Sequence, residues 1–224
     1  MSITVHTLKV SRLLLKNYNY LIVDDNSRDA VLIDPAWELD TLENAIEQHR
    51  AKLTAILVTH HHFDHANLCG ELAERWQVPV FMGRTEIDYY RYQCTGLTPL
   101  DSDAPFDCGT LRVIPHNTPG HTLGGICYQL GDTLFTGDTL FIEGCGICAG
   151  KGADPYTMFQ TLQKLKRLPA GTRIFPGHSF GQPCGKPLSF LLQNNLYLQF
   201  DKAEQFVAFR MRKGQNKLKW FKFQ

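Results

Sequence analysis

The apolar run Leu53-Thr54-Ala55-Ile56-Leu57-Val58 ends abruptly in Thr59-His60-His61-His62-Phe63-Asp64-His65. A short run of this kind, bounded by polar residues, reads as a buried strand. It delivers four candidate metal ligands, His60, His62, Asp64 and His65, to the strand's C-terminal mouth. Imidazole nitrogen and carboxylate oxygen suit zinc and comparable divalent ions. Ligands pointing in alternate directions at so short a spacing serve two ions more readily than one. A His-rich purification tag would sit at a terminus and carry no Asp, so the segment reads as a site.

Three further segments repeat the pattern. Thr118-Pro119-Gly120-His121-Thr122 follows the strand-like Leu111-Arg112-Val113-Ile114. Leu134-Phe135-Thr136-Gly137-Asp138-Thr139 places a carboxylate after an apolar run, and Arg173-Ile174-Phe175-Pro176-Gly177-His178 does the same for a histidine. Each is a β-rich stretch, a turn residue and then a ligand type. Alone, any of them reads as a structural turn; together they bring the candidates to seven, all at strand ends. Alternation points His61 away from its neighbours, and His6, His49 and His116 read as surface or packing residues.

Strand-like segments are expected near 3–9, 19–25, 30–34, 53–58, 79–82, 111–115, 126–130, 133–136 and 172–175. Helices are expected near 38–50, 67–76, 84–92 and 155–167, with Leu39, Leu42, Ala45 and Ile46 on one face of the first. Strands and helices thus alternate, and at 224 residues the chain can bury a full core. The net charge of +1 gives no global signal for nucleic acid. The N-terminus lacks the basic and apolar regions of a signal peptide, and no apolar run approaches the roughly 20 residues that cross a bilayer. Seven cysteines, an odd number, fit a reducing compartment, so a cytoplasmic location is expected. Cys145-Gly146-Ile147-Cys148 is a lone pair read as loop structure near the site, and Gly150-Lys151 lacks the spacing of a phosphate loop.

The tail differs in charge. Residues 201–224 carry seven Lys/Arg against Asp201 and Glu204. Arg210, Arg212 and Lys213 are therefore candidates for docking an acidic partner or a phosphate-bearing arm, set against an ordinary solvated terminal helix and strand. Leu218, Trp220, Phe221 and Phe223 suggest that part of the tail packs down.

His60-x-His62-x-Asp64-His65, His121, Asp138 and His178, in that order, resemble the ligand signature of the metallo-β-lactamase fold. The resemblance implies an αββα sandwich of class α/β (α+β), with a catalytic domain over 1–200 and the basic extension 201–224 packed on it. It also implies two divalent ions, zinc first, with iron or manganese as alternatives. His60, His62 and His121 would hold one ion, and Asp64, His65 and His178 the other. Asp138 would bridge them, and Asp34 of Ile33-Asp34-Pro35 would orient a ligating imidazole. The implied mechanism is attack on an acyl carbonyl by a hydroxide held between the ions, positioned by Asp64 and Asp138.

Thr59 to His65, with Gly137-Asp138-Thr139-Leu140-Phe141 and Gly144-Cys145-Gly146, is similar to glyoxalase II. That family usually follows Asp-His with a small residue and two glycines, where this chain has Ala66-Asn67-Leu68, and commonly has Arg where this chain has Ile147. Its C-terminal region is also longer. The block 137–148, with Phe63-Asp64-His65-Ala66-Asn67-Leu68 and Phe209-Arg210-Met211-Arg212-Lys213, more closely resembles glyoxalase II-like hydrolases of trans-acyltransferase polyketide pathways, the PksB/BaeB type. This implies removal of acyl groups from acyl carrier protein thioesters, with no nucleic-acid or membrane partner. The alternatives are hydroxyacylglutathione hydrolysis on S-lactoylglutathione and a non-catalytic carrier-protein binding module. A persulfide dioxygenase of this fold would hold one iron through His60, His121 and Asp138. A nuclease would need an RNA-binding appendage.

Overall fold

Period-two alternation sorts the apolar residues of the central strands onto two faces. Tyr20 and Ile22, Val31 and Ile33, and Ala55 and Leu57 pack in one cluster, while their neighbours Leu21, Val23, Ala30, Leu32, Ile56 and Val58 pack in another. A sheet buried on both faces needs a layer on each side. In the computed structural model, which describes residues 2–13 and 15–214, that is what forms.

The first sheet runs in chain order: β1 (Ile3–Arg12), β2 (Leu15–Asp24), β3 (Asp29–Ile33), β4 (Lys52–Leu57), β5 (Val80–Gly83) and β6 (Leu97–Leu100). β1 to β3 are antiparallel, and β3 to β6 are parallel. Helices make the parallel crossovers: α1 (Leu39–Gln48), then α2 (Phe63–Ala66) with α3 (Cys69–Trp76), then α4 (Arg84–Tyr90). The second sheet holds β7 (Phe106–Cys108), β8 (Leu111–Asn117), β9 (Ile126–Leu130), β10 (Thr133–Gly137), β11 (Arg173–Pro176) and β12 (Lys186–Pro187). α5 (Pro155–Leu165) joins the parallel pair β10 and β11, and α6 (Leu188–Asn194), a 3₁₀ turn at Leu196–Leu198 and α7 (Ala203–Arg210) follow.

The sheets meet through Tyr20, Phe135 and Phe175, whose ring centroids lie 5.1–5.4 Å apart. The buried Tyr20 hydroxyl donates to the Pro176 carbonyl at 2.5 Å, satisfying its polar end. Outside the first sheet, Leu42, Ala45 and Ile46 of α1 and Leu72 and Ala73 of α3 cover it; outside the second, Met158, Leu162 and Leu165 of α5 do the same. Asp154 caps α5, its side chain accepting from Thr157 N, and Pro155 occupies the first turn, where no amide is needed. The fold is therefore the expected αββα sandwich.

Three edge strands, β6, β7 and β12, and the helices α2, α6 and α7 go beyond the expected elements. β6 reads Leu-Thr-Pro-Leu, and its proline confines it to an edge. α7 has little amphipathic contrast, yet it packs on α5 by burying Phe206, whose ring meets Phe159, Tyr197 and Phe200 at 5.6–6.1 Å. The expectation that Leu218, Trp220, Phe221 and Phe223 pack down lies outside the described residues. Phe206→Ala should cost about 3–5 kcal/mol through the cavity it leaves. Urea denaturation reads this, and an unchanged midpoint would separate α7 from the core.

Candidate metal centre

Every candidate ligand follows the C-terminal end of its strand: His60 to His65 after β4, His121 after β8, Asp138 at the end of β10 and His178 after β11. The turn glycines have a steric reason. A Cβ on Gly177 would collide with the His65 ring and sit 2.9 Å from Asp138 Oδ1. Only glycine lets the end of β11 pass this close to the ligands.

Three imidazoles converge at one position. His62 Nδ1 lies 3.0 Å from His60 Nε2 and 3.1 Å from His121 Nε2. At a second position, Asp64 Oδ2 lies 3.3 Å from His178 Nε2 and 3.6 Å from His65 Nε2. Asp138 stands between them. Its Oδ1 faces His65 Nε2 at 3.3 Å and His178 Nε2 at 3.5 Å, while its Oδ2 faces His121 Nε2 at 3.6 Å. The seven sequence candidates thus all come together, as the triads His60/His62/His121 and Asp64/His65/His178 with a shared carboxylate.

Hydrogen bonds on the far side of the rings decide which nitrogen faces inward. His121 Nδ1–H donates to Ile147 O at 2.7 Å, and His178 Nδ1–H donates to Lys16 O at 2.8 Å. His65 Nδ1–H donates to Asp34 Oδ2 at 3.0 Å. Asp34 also accepts from Thr59 N at 2.7 Å and from the Thr59 hydroxyl at 2.6 Å, and that hydroxyl in turn accepts from His60 Nδ1 at 3.0 Å. In each of these four rings the Nδ1 proton is committed outward, so Nε2 is the nitrogen left to face the centre. Asp34 sits beside these ligands as expected, at a backbone φ of 52° that Asp tolerates better than most residues.

Electrostatics divide the two positions. Burial, reinforced by the crowded rings, pulls His62 down to about 2, and burial likewise lowers His60 and His121. These three are neutral at pH 7, the form that ligates a metal. For His65 and His178 burial also works downward, but the carboxylates of Asp64 and Asp138 outweigh it and raise both. The imidazoles in turn hold Asp64 and Asp138 well below the usual carboxylate range, against their own burial.

The donor set fits a divalent cation. Asp64 Oδ1, His65 Nε2 and Asp138 Oδ1 are buried without a hydrogen-bond partner. Each unpaired buried polar atom costs about 1–3 kcal/mol, and two of these three, His65 Nε2 and Asp138 Oδ1, face each other at 3.3 Å. With His65 and His178 neutral, the form a metal ligand takes, acceptor faces acceptor here, an arrangement that is stable when a cation lies between them. The mixed nitrogen and oxygen set, with no thiolate, suits zinc and also accommodates iron or manganese.

The family profile of the metallo-beta-lactamase superfamily matches residues 14–178. The chain belongs to that superfamily. Among its relatives, the "probable polyketide biosynthesis zinc-dependent hydrolase BaeB" of Bacillus velezensis is 42% identical over 97% of both chains. A hydroxyacylglutathione hydrolase of Halorhodospira halophila is 38% identical over 75% of this chain and 63% of its own. The crystal structure of ETHE1 from Myxococcus xanthus superposes with a TM-score of 0.81 at 28% identity, covering 96% of this chain and 94% of that one. The resemblance to hydrolases of the PksB/BaeB type therefore extends along nearly the whole chain.

Several supports of this metallo-beta-lactamase site escaped the sequence reading. Asn17, fully buried on β2, donates to Asp64 O at 2.8 Å and to Asp64 Oδ2 at 3.1 Å. Its Oδ1 accepts from Trp37 Nε1 at 2.9 Å, and the Trp37 amide donates to Asn67 Oδ1 at 3.1 Å. Asn67, a departure from the glyoxalase II pattern, thus braces Trp37 and through it Asn17. No local motif marks Asn17, because its role depends on a neighbour 47 residues away. His61 points away as expected, stacking on Tyr90. His6 and His49 stack on each other, and His116 pairs with Gln129.

One docking candidate is corrected. Arg210 is buried, not displayed: its Nε donates to Gly146 O at 2.8 Å, and its guanidinium lies 5.8 Å from the Tyr197 ring. It braces the 144–148 loop, whose Ile147 carbonyl holds His121, while Arg212 and Lys213 remain exposed. Asp34→Asn would replace an acceptor facing three donors with a group that accepts on one side only. It should weaken metal binding about 10- to 100-fold. Chelator competition measures this, and wild-type affinity would remove Asp34 from the support of the centre.

Proposed function

We propose that this chain is a dinuclear metal-dependent hydrolase that cleaves thioesters, releasing acyl groups from an acyl carrier protein in a polyketide pathway. The observation that carries the dinuclear reading is the second position. Asp64 Oδ1, His65 Nε2 and Asp138 Oδ1 are buried and unpartnered there. A one-iron site built on His60, His121 and Asp138 would leave Asp64 and His65 so. A non-catalytic binding module has no use for two complete ligand triads.

Divalent ions at these positions supply Lewis acidity, which lowers the pKa of coordinated water toward about 7 and polarises a carbonyl. The protein's own contribution is placement. Asp138 spans both triads and so fixes their separation, and Asn17 fixes the Asp64 oxygen at 3.1 Å. Protein nucleophiles are poorly prepared beside this centre: burial raises the Cys145 thiol strongly and pushes Cys148 up to about 11. A departing thiol of pKa about 8–9 leaves as thiolate without a strong general acid, so thioesters suit the site. Phe63 (56% exposed), Phe180 (63%) and Ile147 (39%) flank ligands at the rim and offer apolar surface to an acyl chain.

The carrier-protein assignment draws on the name of the relative BaeB and on the exposed Arg212 and Lys213 beside α7. The hydroxyacylglutathione hydrolase relative supports the second reading, S-lactoylglutathione as substrate. Metal-loaded protein assayed side by side should hydrolyse an acetylated carrier protein in preference to S-lactoylglutathione, and the reverse preference would replace the first reading with the second. Asp138→Ala should abolish hydrolysis and lower metal content, and full activity would sink the two-ion assignment. Neutralising Arg212 and Lys213 together should reduce carrier-protein turnover more than turnover of a small thioester. Equal losses would remove the docking role.

A further inference from the structure

Glu86 is a fully buried carboxylate that the proposed reaction does not use. It sits on α4, and all its hydrogen bonds leave the helix. Oε1 accepts from the His61 amide at 3.0 Å and from His61 Nδ1 at 2.6 Å, and Oε2 accepts from the Gly124 amide at 2.9 Å. Tyr90, one turn later, reaches the same two loops. Its ring stacks on His61 at 3.6 Å and 13°, and its hydroxyl accepts from the Leu123 amide at 3.1 Å while donating to Lys151 O at 2.6 Å.

We infer that Glu86, assisted by Tyr90, is a positioning residue that clamps together the two loops carrying His60, His62 and His121. His61 lies between His60 and His62, so fixing both its amide and its ring sets the twist that turns its neighbours the other way. Gly124 lies three residues after His121 in the loop that presents it. One carboxylate spans both loops because each of its oxygens serves one of them. The Asp64/His65/His178 position has supports of its own in Asn17 and the Lys16 carbonyl, while Asp34 serves both positions, through His65 and through Thr59 to His60. The clamp reaches neither Asn17 nor the Lys16 carbonyl and so bears directly on one of the two metal positions, which separates it from a general contribution to folding.

The inference rests on the metal reading of the two triads, and its test needs no turnover. Metal-free protein would be titrated with zinc against a chelator, with imidazole nitrogen NMR assigning each ion to its rings. In Glu86→Gln, the amide NH₂ must face either the His61 or the Gly124 N–H. The affinity of the His60/His62/His121 position should fall about 10-fold while the other stays within twofold, roughly the scatter of such measurements. Equal losses at both positions, or none, would overturn the clamp. Should Glu86→Gln fail to fold, Tyr90→Phe keeps the stacked ring and removes only the hydroxyl. It should cause a smaller loss confined to the same position, and no loss there would likewise overturn it. Wild-type protein taking up one ion, with that ion weakened by Glu86→Gln, would support the clamp and sink the dinuclear reading. Wild-type protein taking up none would overturn both.

Discussion

The structure depends on one carboxylate that touches no substrate. Asp34, at the end of β3, accepts from the Thr59 amide, the Thr59 hydroxyl and His65 Nδ1. Through Thr59 it also commits the outward proton of His60. One side chain therefore fixes where β4 ends, which way the ligand segment leaves, and which nitrogen of a ring in each triad faces inward. Its own main chain is held by Asn19, which donates to the Asp34 carbonyl and accepts from the Ala36 amide. Fixing ring orientation beforehand matters because a ligand that must rotate before binding loses affinity.

The layers place the metal centre at one edge of the sandwich. The ends of β3, β4, β8, β10 and β11, drawn from both sheets, reach the same point. Tyr20, Phe135 and Phe175 hold the sheets together beneath it. The close approach at Gly177 sets how near β11 comes to His65 and Asp138. Packing between the sheets is thus coupled directly to the spacing between triads. Below the ligands the interior is apolar and rigid, while the rim carries exposed Phe63, Phe180 and Ile147.

What was legible in the sequence shares one property: it is local. Ligands bunched behind an apolar run, or placed after a turn residue, carry their meaning in adjacent letters; β4 declares itself as that run, and α1 and α5 by period. What was not legible is non-local. Asn17 and Glu86 look like ordinary polar residues until the fold brings them to Asp64, His61 and Gly124. Arg210 shows the opposite error. Its place in a basic tail suggested an exposed surface, but composition is blind to the Gly146 carbonyl that draws it inward. α7 escaped notice because its burial comes from Phe206 and Arg210 rather than from a clear apolar stripe.

Charge balance ties these observations together. Asp34, Asp64 and Glu86 are buried, and Asp138 is largely so. Among the described residues, the ion-pair partners of all four are histidines, never lysine or arginine. An isolated buried carboxylate is costly enough to shift its pKa or to demand a counter-charge. Four carboxylates would match the charge of the two divalent ions proposed for the centre. Asp64 stands in a triad and Asp138 between the two, Asp34 stands one hydrogen bond behind His65, and Glu86 holds His61 and Gly124, which are not ligands. Under the proposed reaction, two ions held by the inner donors alone would keep excess positive charge, which would favour an oxyanion developing at a carbonyl. Asp34 bears on His65 from the far side of its ring, while Glu86 pairs with His61 on the outward side of the ligand segment, so both steady the protein without occupying the inner face.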